Sequence, residues 1–275
     1  MTKVPFDFVI NHQNKDHHLK FLFDTDQMSQ NHILNCLNKN NVYEPELLFL
    51  FLRVLRSGDT FLDIGAHVGF FSVLAGHLVG AEGKGISVEP MAENHQAFEH
   101  NISLNGFDHV ELVKGIISDE NGESQIFFNA DNDGGHSLWD PGTHEFNQKS
   151  RENPTQRPVH SRTLMSLLQS NRIRKVKLAK IDTEGAEVKI LSASQNVLKI
   201  GQIDFIACEL NPSALEAMGY HQKDLYDCVR ACGYEVYIPK EDGSLPQLLP
   251  EGKYIQTQYA MNVVFTKPEL IAQYW

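Results

Sequence analysis

The chain contains no uninterrupted apolar run of the roughly 18–20 residues that a membrane-spanning helix needs. Its first residues lack the profile of a signal peptide, because Asn11 to Lys20 is strongly polar. Basic residues are scarce: 24 Lys and Arg face 35 Asp and Glu, for a net charge of −11. That argues against a broad nucleic-acid surface, which needs clustered Lys and Arg. The densest basic run, Arg172-Ile173-Arg174-Lys175-Val176-Lys177, precedes a strand and reads as a solvated turn. There are only four cysteines, Cys36, Cys208, Cys228 and Cys232. Cys228 and Cys232 share a helix face, but no second pair or nearby histidine pair completes a zinc site. They read as buried or half-buried free thiols, in a reducing, cytoplasmic compartment. Also missing is the Gly-x-Gly-x-x-Gly loop expected for NAD or FAD.

What is present is an ordinary globular composition, 41% hydrophobic and 21% charged over 275 residues. That is enough for one α/β domain with extensions and a sizeable core. From Thr60 strands and helices alternate. Thr60–Ile64, Gly85–Val88, His109–Val113, Val176–Ile181, Asp204–Cys208, Tyr234–Ile238 and Met261–Thr266 read as strands. Helices are expected over Phe70–Leu78, Pro90–Leu104, Leu164–Gln169, Ala186–Ser192 and Ala214–Ala231. Ile116–Asp119 and Ser124–Phe128 suggest an extended pair about the turn Glu120-Asn121-Gly122. The pattern predicts a doubly wound, Rossmann-like α/β fold with a mostly parallel, seven-stranded sheet. No helix separates the last two strands, so the ending is antiparallel. Ahead of Thr60, a strand or hairpin is expected at Leu19–Phe23 and a helix near Gln30–Asn38. A second helix is expected over Glu44–Arg56, whose Phe49, Leu50 and Phe51 offer a homodimer interface. The expected division is an N-terminal extension, 1–57, and a main domain, 58–275, with an irregular insertion at 129–160. Asn129 to Pro158 is rich in Asn, Asp, Gly and Pro and reads as a lid.

In such sheets ligands bind beyond the carboxyl ends of the strands. The first strand ends in Asp63-Ile64-Gly65-Ala66-His67-Val68-Gly69, whose glycines let backbone approach a nucleotide-like ligand. The second ends in Val88-Glu89-Pro90; Glu89 is placed to take ribose hydroxyls, or else to serve as an acid at a helix N-terminus. Gly115-Ile116-Ile117-Ser118, after the third, supplies an adenine pocket by position. The fourth runs into Lys180-Ile181-Asp182-Thr183-Glu184-Gly185-Ala186-Glu187. Crowding these acids is costly unless they bind something or start a helix. Glu187 suits the helix start and Asp182 a site role.

Together these segments resemble the FkbM family of S-adenosylmethionine (SAM)-dependent methyltransferases, from about Thr60 to Thr266. Arg162-Thr163-Leu164-Met165-Ser166-Leu167-Leu168 resembles the short helix before the family's fourth strand. The resemblance implies the class I methyltransferase fold and O-methylation of a hydroxyl on a sugar or polyketide-like natural product. It places Asp63, Gly65, Gly69 and Glu89 at cofactor positions. The family commonly has Asn at His67, a small aliphatic residue at Thr183 and Asp at Met165. The full expected set of cofactor contacts is Asp63, Gly65, Ala66, His67, Gly69, Glu89, Pro90, Ile117, Ser118 and Asp182. Methylating a hydroxyl calls for a base; Asp182 is the first choice, with Glu184, Glu209 and His136 as rivals. His136 reads first as a plain surface histidine. A divalent metal on Asp182 and its neighbours would also acidify a hydroxyl, but the expected set contains no metal. The partner is a small-molecule acceptor, with neither nucleic acid nor membrane. The competing readings are an NAD-dependent oxidoreductase or epimerase, which lacks support from the glycine spacing and from any helical Tyr-x-x-x-Lys, and a non-catalytic SAM-binding protein.

Overall fold

The computed structural model describes residues 2–12, 15–40, 42–144 and 146–275, without the side chain of Asn40. Where the expectations above touch Met1, Gln13, Asn14, Asn41 and Glu145, they lie outside the described residues. The chain opens with the hairpin β1 (Lys3–His12) and β2 (Lys15–Asp24), then α1 (Met28–Asn40) and α2 (Pro45–Val54). There follow β3 (Thr60–Ile64), α3 (Phe70–Val79), β4 (Lys84–Glu89), α4 (Ala92–Leu104), β5 (Val110–Lys114), β6 (Ile116–Ser118) and β7 (Gly122–Phe128). Next come α5 (Gln148–Glu152), β8 (Thr155–Thr163), α6 (Leu164–Ser170), β9 (Val176–Ile181), α7 (Glu187–Ala193), α8 (Gln195–Lys199) and β10 (Ile203–Leu210). The chain closes with α9 (Pro212–Ala217), α10 (Gln222–Arg230), β11 (Glu235–Ile238), β12 (Gln247–Leu249), β13 (Met261–Thr266) and α11 (Pro268–Tyr274).

The main sheet has the order β12-β11-β13-β10-β9-β3-β4-β5. β5, β4, β3, β9 and β10 run parallel, and β13 and β11 pair antiparallel. These are the seven expected strands; the edge strand β12 is an eighth. Its three residues are too short to show a period in sequence. Strands buried on both faces read as apolar runs rather than alternating ones, and side-chain parity then assigns each residue a face. Leu62, Ile64, Ala179, Ile181, Ile206 and Cys208 enter the core beneath one face. Phe61, Leu178, Phe205 and Ala207 enter the core on the other, with α3 and the N-terminal segment. Asp63, Lys180 and Glu209 share the parity of this second set. Register puts Asp63 beside Ser87 on β4 and Lys180 on β9. A polar row therefore crosses the carboxyl end of the sheet on the face that the N-terminal segment covers.

Three expectations differ from the structure. β6 and β7 do not pair with each other; β8 lies between them in a separate three-stranded sheet, parallel to β6 and antiparallel to β7. β8 is hidden in sequence because it carries Pro158, two arginines and a histidine, and buries only Val159 and Ser161. It also takes the end of the supposed irregular insertion, which contains α5 as well. The helix expected over Ala214–Ala231 is two, broken at Gly219, whose φ of 80° ends α9. Finally, Leu50 and Phe51 are buried in the chain's own core and only Phe49 is exposed, so the apolar face offered for a dimer is not there. Among the described residues, no helix is long and apolar enough to cross a membrane.

Candidate active site

One cavity of about 190 Å³ opens at the carboxyl ends of β3, β4, β9 and β10. The expected residues Asp63, Gly65, Ala66, His67, Glu89, Pro90, Ile117, Asp182, Glu184 and Glu209 all line it. Gly69 and Ser118 do not. Gly69 turns the chain into α3, with φ of 82° and its N–H on the carbonyl of Ala66. The Ser118 hydroxyl is turned to Asp119, donating at 3.0 Å.

The loop after β3 is held from both sides. The N–H groups of Gly65 and Ala66 donate to the Val88 carbonyl, and the Asp182 N–H donates to the Ile64 carbonyl, all within 3.0 Å. Asp63 is fully buried. Its Oδ2 accepts from the Ser72 hydroxyl at 2.5 Å, and its Oδ1 has no partner among the described residues. Burial raises the Asp63 carboxyl, and the Lys180 ammonium opposes the rise. Glu89 is also buried. Its Oε1 accepts from the Met91 N–H and the Asn94 amide, and among the described residues its Oε2 accepts only from the His67 N–H at 2.9 Å. His67 is bonded through Nε2 to Asp133 at 2.8 Å. Asp133 also accepts from Ser29 N–H and Gln30 at the start of α1, so one carboxylate ties the loop after β3 to the insertion and the N-terminal segment.

At the other end lie four carboxylates from four chain positions: Glu44, Asp182, Glu184 and Glu209. Lys180 is the cation among them, donating to Asp182 Oδ2 at 2.6 Å. The charges of Asp182, Asp63 and Glu44 hold its ammonium protonated against burial. Asp182 is the more open partner, with its side chain 29% exposed against 6% for Lys180. Burial first, then the charges of Asp182 and Glu187, push Glu184 up to about 8. Burial pushes Glu44 up to about 7, and burial with the Asp182 and Glu184 charges carries Glu209 well above the carboxylate range. Glu44 Oε2 and Glu209 Oε2 are buried and have no partner among the described residues. Two of these acids sit on left-handed backbone, Glu44 at φ 44° and Glu184 at φ 53°, the kind of strain that collects at functional sites. Glu187 is outside the cavity, as its helix-start role predicts. Its Oε1 accepts from Thr183 N–H, Thr183 hydroxyl and Gly185 N–H.

Sequence reasoning missed Glu44 and Lys180. Lys180 left a signal, a charge at an inward position of an apolar strand. Glu44 left none, since only the tertiary fold brings it over the sheet. His136, read as a surface residue, is buried. Trp139 is half-buried and donates from Nε1 to the Glu184 carbonyl, while Phe146 is exposed. Among the described residues no three His, Cys, Asp or Glu side chains are grouped to hold a metal ion.

The raised carboxyls set a pH dependence. A carboxyl whose folded value lies above its unfolded one binds more protons folded, so stability falls as pH rises toward the folded value. For Glu44 and Glu184 the fall extends to about 7 and about 8. The ligand-free protein should lose roughly a few degrees of melting temperature between pH 6.5 and 8.5. Glu184→Gln should flatten that slope; an unchanged slope in this variant would remove Glu184 as its source.

Residues 63–236 match the family described as the methyltransferase FkbM domain. No curated protein matches the sequence. Among solved structures, a precorrin-6y C5,15-methyltransferase from Geobacter metallireducens is similar at 13% identity and TM-score 0.42, over 81% of this chain and 86% of that one. A methyltransferase FkbM from Methylobacillus flagellatus is similar at 11% identity and TM-score 0.46, over 86% of this chain and 53% of that one. A SAM-dependent methyltransferase from Aquifex aeolicus is similar at 13% identity and TM-score 0.46, over 88% and 98%. The domain match spans well over half of a chain whose sheet has the class I order, and the chain belongs to the FkbM family of SAM-dependent methyltransferases.

Proposed function

We propose that this chain transfers the methyl group of SAM to a hydroxyl oxygen of a small-molecule acceptor, a sugar or a natural product. The observation that carries the proposal is the pairing of Asp182 with Lys180 at the mouth of β9, in the same cavity as the Asp63–Gly65 loop. An alcohol is weakly acidic and needs a positioned base.

The residues present fit SAM. Asp63 Oδ1 is a buried acceptor without a partner among the described residues. Glu89 Oε2 accepts one bond and has room for a second from a ribose hydroxyl. A side chain at position 65 would fill the approach, because its Cβ would lie 1.8 Å from the Asp182 carbonyl oxygen. Asp63 with the Gly65–His67 loop would hold the methionine end, Glu89 the ribose, and Ile116 and Ile117 the adenine. When bound, SAM supplies a methyl group on a cationic sulfur. The chain's own part is to align the acceptor and take its proton. Lys180 holds Asp182 Oδ2, and the other oxygen, Oδ1, receives the hydroxyl proton. Glu44, Glu184 and Glu209 line the acceptor's side, where protonated carboxyls donate to sugar hydroxyls.

In this reading residues 1–57 are a cover, 58–275 are the transfer domain, and the insertion at 129–160 closes the site from the other side. The four unpaired cysteines agree with a reducing, cytoplasmic setting.

Two measurements test the proposal. S-adenosylhomocysteine should bind the wild-type protein in calorimetric titration, and Glu89→Ala should weaken it by about thirtyfold, the value of one charge-assisted hydrogen bond. NAD should not bind. Incubation with methyl-labelled SAM and a panel of sugars and natural products should yield a labelled methyl ether. A label found on carbon or nitrogen would overturn O-methylation.

A further inference from the structure

His136 is a buried titratable group of the cavity that this mechanism leaves unused. The residue is 9% exposed and lines the cavity. Nδ1 accepts from the Asn129 N–H at 3.0 Å, so a neutral ring carries its proton on Nε2. Nε2 is buried and has no partner among the described residues. Burial lowers the imidazole to about 4, which keeps it neutral at physiological pH.

The ring is fixed in place. It stacks on Phe128 with centroids 5.1 Å apart and planes 21° from parallel. Asn129 accepts from the Asp131 and Asn132 N–H groups and donates to the Gly135 carbonyl, closing the loop around the histidine. Phe128 packs with Ile116 on the small cluster of Met91, Ile126 and Val159. That cluster belongs to the Glu89–Ile116 end of the cavity, away from Asp182.

We infer that His136 closes the nucleoside end of the site and donates a hydrogen bond from Nε2 to the adenosyl half of SAM. The inference rests on the reading above, in which Glu89 takes the ribose and Ile116 and Ile117 the adenine. A neutral N–H donor suits the uncharged acceptors of that half, the ring nitrogens of adenine and the ribose oxygens. It also takes His136 out of the contest for the base, since its acceptor nitrogen is committed to Asn129.

The test is calorimetric titration of wild type, His136→Phe, His136→Gln and His136→Asn with two probes, S-adenosylhomocysteine and 5′-methylthioadenosine. The second probe lacks the amino-acid end. His136→Phe keeps a ring over Phe128 but has no donor, and it should weaken both probes by about tenfold, the value of one hydrogen bond. Gln places an N–H₂ near the Nε2 position and should restore most of the affinity; Asn is too short and should not. The Gln and Asn pair carries the test if the Phe variant does not fold. Unchanged affinity in His136→Phe and His136→Asn, or a loss confined to S-adenosylhomocysteine, would overturn the assignment while leaving the cofactor site intact. Failure of the wild type to bind either probe would instead overturn the reading on which it rests.

Discussion

Asp182→Asn should lower kcat by about a thousandfold, the middle of the range for a lost general base, while S-adenosylhomocysteine binds as it does to wild type. Four carboxylates, Glu44, Asp182, Glu184 and Glu209, line the cavity, and three are pushed toward the neutral form: Glu44 up to about 7, Glu184 up to about 8, and Glu209 well up. Burial is the first cause in each, and the charge of Asp182 adds to all three. Burial that favours the neutral form leaves a smaller share of a carboxyl ionised to act as a base. Asp182 is the acid that holds an ion pair with Lys180, and its charge acts on all three of the others. Asn keeps an oxygen for Lys180, and the backbone bond from position 182 to the Ile64 carbonyl does not involve the side chain. The fold is therefore preserved and the proton acceptor alone is lost. Glu184→Gln and Glu209→Gln should cost far less. Wild-type turnover in Asp182→Asn would sink the assignment.

The parts of this site that a sequence shows are those fixed by local period. Asp63 and Lys180 stand at inward positions of apolar strands, and a charge there is conspicuous against Phe61, Leu62, Leu178 and Ala179. Glu89 ends a strand and opens a helix, and both facts are read within six residues. The sheet order follows from the alternation of strands and helices, with the antiparallel end marked by the missing helix before Met261. What stays hidden depends on contacts far along the chain. Glu44 reaches Lys180 only because α2 packs over the face that carries the polar row. β8 is held by ladders to β6 and β7 rather than by burial of its own side chains, so its polar sequence gives no strand period. His136 reads as a surface residue because a run of Asn, Asp and Gly surrounds it. Those same residues bond one another into a wall: Asn129 alone accepts from Asp131, Asn132 and Ser150.

Gly65→Ala should abolish S-adenosylhomocysteine binding and destabilise the protein by roughly 3 kcal/mol, from the left-handed backbone and overpacking together. The φ at Gly65 is 85°, where a side chain is strained whatever the space. Here there is also no space, since the new Cβ would lie 1.8 Å from the Asp182 carbonyl oxygen. The obstacle is backbone and cannot swing aside as a side chain would. It cannot retreat either, for the Asp182 N–H is bonded to Ile64 and the Gly65 N–H to Val88. These bonds continue the parallel ladders of β9 with β3 and β3 with β4. Relief therefore means moving the loop away from β9, which takes Asp63 and His67 out of register with Glu89 and Asp182. Gly106→Ala is the control: φ there is 69°, and nothing lies within 4 Å of the added Cβ. That variant bears only the conformational cost, about 1 kcal/mol, and should bind as wild type. Thermal unfolding and titration of the two variants separate backbone strain from the loss of room. Gly65→Ala protein that binds S-adenosylhomocysteine within twofold of wild type would show that the loop can yield, and the close approach of β3 to β9 would then not be what shapes the site.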